Sequence, residues 1–360
     1  MRFFFQSKPR FAGTLAALAF VAGLAACGST PETTTSPEAT EDAGEVASDG
    51  ETIDVVASYS VLCNMVEQVA AGVFEPNCLI SYDQDPHTYE AKPSDRQAIE
   101  EADAVFYGGM NFEPSIIEMA QATTTPAPKV AVHDEAVQDV IEIDEEGEVE
   151  PDPHIWHDVE NGIRMVEVIE QTLVEIDPNN ADIYTSNADA LASKLERLDT
   201  WIPEQIATIP ENQRRLITTH DAMSYYARAY GLKVEGTLLG ISTDEQPTAA
   251  QVKSLSEGIK TIGVPVLFAE LTANDKVLQT VANEAGVNIS KDVLIADGLG
   301  KKDTPSGTYQ GMLVYNTCTI VTGLGGTCSE FESAQSRWHE PNPRVINKRT
   351  IFSIKASIYQ

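Results

Sequence analysis

The chain has 360 residues, enough for two domains at roughly 150 residues each. Its composition is globular, 42% apolar and 22% charged, but 55 acidic residues against 24 basic ones give a formal charge of −31. That balance excludes a nucleic-acid backbone as partner, because phosphate contacts need basic patches, and it suits a protein that meets cations.

Residues 1–10 carry Arg2, Lys8 and Arg10 and no acid, and residues 11–26 are uncharged, small and apolar. This is the pattern of a secretory signal over 1–26, short of the ~20 apolar residues a spanning helix needs. It ends in Leu24-Ala25-Ala26-Cys27-Gly28, which resembles the lipobox of bacterial lipoproteins. The resemblance implies acylation of Cys27 and a chain anchored by lipid to the outer side of the cell membrane. Losing the three basic residues of the signal takes the formal charge from −31 to −34. Residues 27–51 are acidic, rich in Ser, Thr and Pro, and lack aromatics, so they read as a flexible tether.

Four cysteines remain beyond Cys27. They allow three connectivities, and their order and spacing favour Cys63–Cys78 and Cys318–Cys328. Export favours bridges over free thiols. None has the CxxC spacing of a structural zinc site.

From Thr52 short apolar runs alternate with helical patterns. Strands are expected at 53–60, 77–81, 103–109 and 129–133, with helices at 62–73, 93–102 and 113–121 between them. Residues 134–153 hold ten acids and no base, too acidic for a core, and read as a surface loop or hairpin. An amphipathic helix follows over 157–177, with Asp158 as its N-cap. Residues 178–209 read as one long helix, opened by Pro178, bent by Pro203 and spanning roughly 40 Å. Its apolar positions are Ile183, Ala190, Leu191, Leu195, Leu198, Ile202 and Ile206. A second alternating unit has strands at 215–219, 232–239, 265–270 and 287–297, and a last helix at 307–324. The expected fold is α/β: an N-terminal lobe over 52–177, a connecting helix over 178–209 and a C-terminal lobe over 210–325. Each lobe carries a helix-covered, mainly parallel sheet. The tail, 326–360, has no clear pattern. No GxxxxGK[ST] occurs, and no GxGxxG follows a strand, so nothing points to a nucleotide.

Three of the six histidines sit just after predicted strands or at helix starts, the edge where open α/β sheets bind ligands. His87 and His154 each end an Asp-Pro-His tripeptide on a stiffened turn. His220 lies where strand 215–219 turns to helix, and Asp297 ends the run Leu294-Ile295-Ala296-Asp297. Three neutral imidazoles and a carboxylate make a donor set for a divalent transition metal. His157, beside the N-cap, reads as structural, and His133 and His339 as surface residues. Asp85 and Asp221 neighbour candidate ligands and could each hold an imidazole.

With these residues in view the chain resembles the zinc- and manganese-binding receptor lipoproteins of bacterial ABC importers. The segments DPHTYEAKPSD, DPHIWHDVENG, TTHDAMSYYARAYGL and PVLFAE, followed by IAD and TYQGMLVYN, match the family's signatures in order and spacing. The likeness runs from about Ile53 to Leu324. It implies two lobes around a rigid helix and one metal held by His87, His154, His220 and Asp297. It also implies an ABC permease as partner, with the receptor acting as a monomer. The chain departs from the pattern in lacking a His-rich loop between its first two ligands, where it is acidic instead. A zinc metallohydrolase is the alternative of another class, but a fourth protein ligand would fill the position that catalytic zinc keeps open. Nitrogen-rich donors favour Zn2+, and manganese receptors of the family tend to carry a carboxylate where this chain has His220; Mn2+ or iron is the alternative.

Overall fold

The computed structural model describes residues 53–331, apart from 146 and 245. Cys27, the signal, the tether, His339 and the tail beyond 331 lie outside the described residues.

Four strands form the first sheet: β1 (Val55–Ala57), β2 (Asn77–Cys78), β3 (Ala104–Tyr107) and β4 (Lys129–Ala131). All pair in parallel, in the order β2-β1-β3-β4. Central β3 is buried along its whole length, as a continuous apolar run in a doubly covered sheet should be. Each strand is shorter than its apolar run, because the last residues leave the ladder to build the site. After β1, Ser58 and Tyr59 lead directly into α1 (Ser60–Val69), and after β4, His133 falls inside the short α4 (Val132–Ala136). Two more helices cover this sheet, α2 (Pro93–Glu101) and α3 (Pro114–Ala122), each started by proline at a position where no N–H is needed.

The acidic segment is a hairpin, β5 (Glu142–Glu145) against β6 (Glu148–Pro151). Gly147 turns it with a φ of 96°, and its amide donates to Asp144 Oδ1 at 2.8 Å. Then α5 (Val159–Ile176) begins at Asp158, whose side chain accepts from the Glu160 amide at 3.0 Å, as the sequence predicts.

The connecting element differs in detail from expectation. Residues Pro178–Asn180 form a separate 3-10 turn, tied by Asp177 to Asn180 Nδ2 and the Tyr184 hydroxyl, both at 2.7 Å. The helix α6 runs over Ala181–Ile206 and continues through Pro203. Its buried stripe is Tyr184, Ala188, Leu191, Leu195, Leu198, Trp201, Ile202 and Ile206. Ile183 and Ala190 lie outside that stripe and are exposed, one residue before Tyr184 and Leu191 and so about 100° round the helix.

In the second lobe β7 (Arg215–Thr218) pairs in parallel with β8 (Lys233–Thr237), and β9 (Val266–Leu267) with β10 (Asn288–Ile289). A bond from the Phe268 amide to the Ile217 carbonyl, at 2.9 Å, stitches the pairs together. The strand expected over 287–297 is regular only at its start, and pairing resumes at Leu294, opposite Glu270. Helices α7 (Ser224–Tyr230), α8 (Ala249–Ile262) and α9 (Lys276–Ala285) each end on a left-handed glycine, Gly231, Gly263 and Gly286.

The last helix, α10 (Tyr309–Gly323), ties the lobes. The Tyr309 amide donates to Asn64 Oδ1 at 2.9 Å, and its hydroxyl donates to the Trp156 carbonyl at 2.6 Å. Gly162 of α5 lets that ring pass, since a Cβ there would lie 2.1 Å from the tyrosine oxygen. One apolar core runs through both lobes by way of α5, α6 and α10, and two smaller ones lie under α8 and α9 and between the first sheet and helices α2 and α3. Disulfides join Cys63 to Cys78, and Cys318 to Cys328. The second bridge brings the start of the tail against α6, where Ser329 bonds Gln205 and the Phe331 ring meets Trp201. Among the described residues no helix is long and apolar enough to cross a membrane.

Candidate metal centre

His87 follows β2, His154 follows β6, His220 follows β7, and Asp297 ends the segment after β10. The two Asp-Pro-His tripeptides fold alike. In each, the aspartate accepts from the histidine amide two residues on: Asp85 Oδ1 from His87 N at 3.0 Å, and Asp152 Oδ1 from His154 N at 2.9 Å. This is the Asx turn that such a sequence favours.

The four side chains converge. One donor atom from each lies within 4.8 Å of the others, and all four residues are buried. His87 Nε2 is 3.2 Å from His154 Nε2, and His220 Nε2 is 3.3 Å from it. Asp297 Oδ1 lies 3.1, 3.3 and 3.7 Å from the Nε2 atoms of His220, His154 and His87.

Two further carboxylates aim the rings. Asp152 Oδ1 accepts from His154 Nδ1 at 2.8 Å, and Glu270 Oε2 from His220 Nδ1. Glu270 Oε1 also accepts the amides of Thr219 and His220, at 3.0 and 3.2 Å. With the proton held at Nδ1, Nε2 presents its lone pair to the centre. Asp85 and Asp221 do not hold an imidazole. The Asp85 carboxylate goes to the His87 amide and Thr243, and Asp221 takes the Ser224 hydroxyl at 2.8 Å. The sequence carries a trace of both missed residues. Asp152 opens the second Asp-Pro-His, and Glu270 is the lone acid closing an apolar strand.

The electrostatics follow from burial. Burial opposes the imidazolium of His220, but Asp297 and Glu270 outweigh it and hold its pKa well above the usual value. His154 is opposed by burial in the same way and raised by Asp152 and Asp297. Burial pulls His87 down despite Asp297. Burial would raise Asp297, yet His220 and its neighbours hold it well below the carboxylate range. A pocket that holds protons this way holds a divalent cation by the same field, and the rings of Phe112 and Trp156 beside His154 keep it out of water.

His157 is fully buried and directs Nε2 to the Ala296 carbonyl at 2.9 Å, apart from the four. His133 is not a surface residue: it has no exposed surface, and its Nε2 lies 2.7 Å from the Tyr59 hydroxyl. It belongs to a polar cluster at the ends of β1, β3 and β4. There Glu113 Oε1 accepts from the Ser58 hydroxyl and the Gly108 amide, both at 2.6 Å. Glu113 Oε2 and His133 Nδ1 find no partner among the described residues. Both border Gly108, where a Cβ would lie 2.7 and 3.1 Å from them. Burial pushes Glu113 up to about 7 and His133 down to about 3.

Two lobes built on helix-covered parallel strands, each contributing two donors to a buried cation-sized gap, define a solute receptor for a metal ion. Residues 55–323 match the family described as zinc-uptake complex component A, periplasmic, and the chain belongs to that family of metal-binding receptors of ABC importers. It is 33% identical over 284 residues to the manganese-binding lipoprotein MntA of Halalkalibacterium halodurans, covering 79% of this chain and 92% of that one. To the iron ABC transporter substrate-binding lipoprotein MtsA of Streptococcus pyogenes it is 31% identical, over 76% of this chain and 89% of that one. Among solved structures, the periplasmic zinc-binding protein TroA of Treponema pallidum superposes with a TM-score of 0.72 at 28% identity, over 76% of this chain and 99% of that one. The family consists of transport receptors and not enzymes, so the metallohydrolase alternative is overturned.

Glu113 gives a test of the buried cluster. Its raised pKa makes its contribution to stability fully present below about 4.5 and lost as pH rises through about 7. Gln keeps the Oε1 acceptor but cannot ionise. In metal-free protein, the unfolding free energy of Glu113→Gln relative to wild type should therefore rise by about 3 kcal/mol between pH 4.5 and 8. Denaturant titrations across that range measure it, and a constant difference would show that Glu113 does not titrate there.

Proposed function

We propose that the chain captures Zn2+ outside the cytoplasm, bound by His87, His154, His220 and Asp297, and delivers it to an ABC permease while anchored through lipid on Cys27. The observation that carries the site is the spacing of the donors. A tetrahedron with bonds of ~2.0–2.1 Å has edges of about 3.3–3.4 Å. The five separations given above, 3.1 to 3.7 Å, bracket that value. Three nitrogens and one oxygen favour zinc at equilibrium over manganese or iron. The second reading is manganese, and its support is the likeness to MntA. Competition of Zn2+ and Mn2+ for the purified protein, with elemental analysis of protein taken from its native envelope, decides between them.

Replacing His87, His154, His220 or Asp297 by Ala should weaken binding by orders of magnitude, because each leaves an incomplete shell. Glu270→Gln should cost about 10- to 100-fold, the usual effect of losing a residue that orients a ligand. His157→Ala should change affinity little. Titration calorimetry of the series checks this, and loss of binding in the His157 variant alone would overturn the assignment.

Acid should release the metal. The metal-free site binds more protons than the loaded one, so affinity falls as pH drops. Because His154 and His220 are held above the usual histidine value and His87 below it, protons should compete first at His154 and His220 and only at lower pH at His87. Asp297 stays ionised through this range. Affinity between about pH 8 and 5 should fall with more than one proton taken up per metal released. Calorimetry in buffers of different ionisation enthalpy counts the protons, and a flat profile would refute the three-histidine site.

Lipidation rests on Leu24-Ala25-Ala26-Cys27. Mass spectrometry of the protein from membranes should find residue 27 as a diacylglyceryl cysteine at the N-terminus, and Cys27→Ala should abolish the lipid without altering metal affinity. An unmodified terminus in the wild type would remove the anchor.

A further inference from the structure

The four donors are not equally enclosed. His154 and His220 have no exposed surface and Asp297 has 1%, whereas His87 keeps 8%. Among the four side chains only that of His87 keeps any exposure, 3% against none for the others, so the His87 side is the thinnest cover between the cluster and solvent. On the same side a bond crosses between the lobes: Thr243 Oγ1 donates to Asp85 Oδ2. Both residues are half-buried. The other oxygen of Asp85 accepts from the His87 amide at 3.0 Å.

Thr243 stands in the loop after β8, and that loop is fastened on both sides of His220. The amides of Leu238 and Leu239 donate to the Thr219 carbonyl at 3.1 and 2.9 Å, and the Asp221 amide donates to the Gly240 carbonyl at 2.9 Å. A carboxylate–hydroxyl bond thus joins the backbone that carries His87 to the backbone that flanks His220. Bonds between the lobes also run elsewhere: those of Tyr309 sit in the buried core along α10, and Arg228–Asp139 and Lys302–Glu67 lie exposed on the surface, none of them touching the loop that carries His87. The Asp85–Thr243 bond does touch that loop, so it has to break if the His87 loop moves off the second lobe.

We propose that Asp85 and Thr243 form a latch between the lobes, with Asp85 a positioning residue that acts through His87, and that its opening sets how fast the metal leaves. This rests on the metal-receptor reading above. The test loads the full chain with Zn2+ and follows its release to excess chelator by stopped flow. Thr243→Val keeps the shape and removes the donor. It should speed release about tenfold, the usual effect of losing a hydrogen bond to a charged group. Thr243→Ser keeps the hydroxyl and should release at the wild-type rate. Far-ultraviolet circular dichroism of metal-free protein should be the same in all three, which separates a latch from a general loss of structure. Release from Thr243→Val at the wild-type rate, or equally fast release from Thr243→Ser, would overturn the latch. Equilibrium dialysis of the wild type against Zn2+ and Mn2+ tests the receptor reading separately: no uptake of either ion would overturn that reading, and the latch with it.

Discussion

Everything in this protein is arranged around one buried carboxylate. Asp297 is fully enclosed, and an isolated charge there would cost several kcal/mol of lost solvation. It remains ionised only because three imidazoles surround it and positive charge reaches it, as protons or as a metal ion. Each imidazole needs an orientation of its own, hence the carboxylates of Asp152 and Glu270 behind two of them. A loop of charge this tight would come apart in a flexible setting. It is held because each member leaves a strand or turn fixed by an apolar core, and because that core is continuous between the lobes.

That continuity limits how the receptor can open. The core shared through α5, α6 and α10 is large and apolar, which is unlike the polar contacts of freely hinging domains. Tyr309 is threaded past Gly162 and bonded to Trp156, so a wide swing of one lobe would unseat a buried ring. Movement is cheaper at the rim, where the loops carrying His87 and Thr243 hold exposed and half-buried residues such as Asp83, Asp85, Thr243 and Asp244. The fold therefore separates its tasks, with rigidity along the helices and yield confined to the mouth.

Much of this could be read from the residues. The alternation of apolar runs and helical patterns locates both sheets, and the repeated Asp-Pro-His exposes two ligand turns whose geometry is local. What could not be read depended on partners far along the chain. His133 looks like a surface histidine in an acidic stretch, but it is buried by Tyr59, 74 residues earlier. Glu270 reaches His220 across 50 residues, through strands that only the sheet brings together. Asp85 and Asp221 sit beside ligands in sequence, yet Thr243 and Ser224 claim their oxygens. Ile183 and Ala190 fail for a different reason. Apolar character alone does not set the phase of a helix, and the stripe through Tyr184 and Leu191 is fixed by what α6 packs against.

The same arrangement explains why the family label does not by itself fix the cargo. Carboxylates behind the imidazoles make them stronger donors toward any divalent first-row metal, so they raise affinity across the series without reordering it. The order of affinities belongs to the metals. What a scaffold controls is the number of donors, their spacing and how far they yield. Relatives named for manganese and iron, and a structural neighbour named for zinc, show one scaffold serving several cargoes. In this chain the third donor is an imidazole, His220, locked at both its ring and its backbone by Glu270. Under the proposed zinc reading, a donor so fixed would resist the outward movement that extra ligands require, and discrimination would rest on the stiffness of that one histidine as much as on its nitrogen.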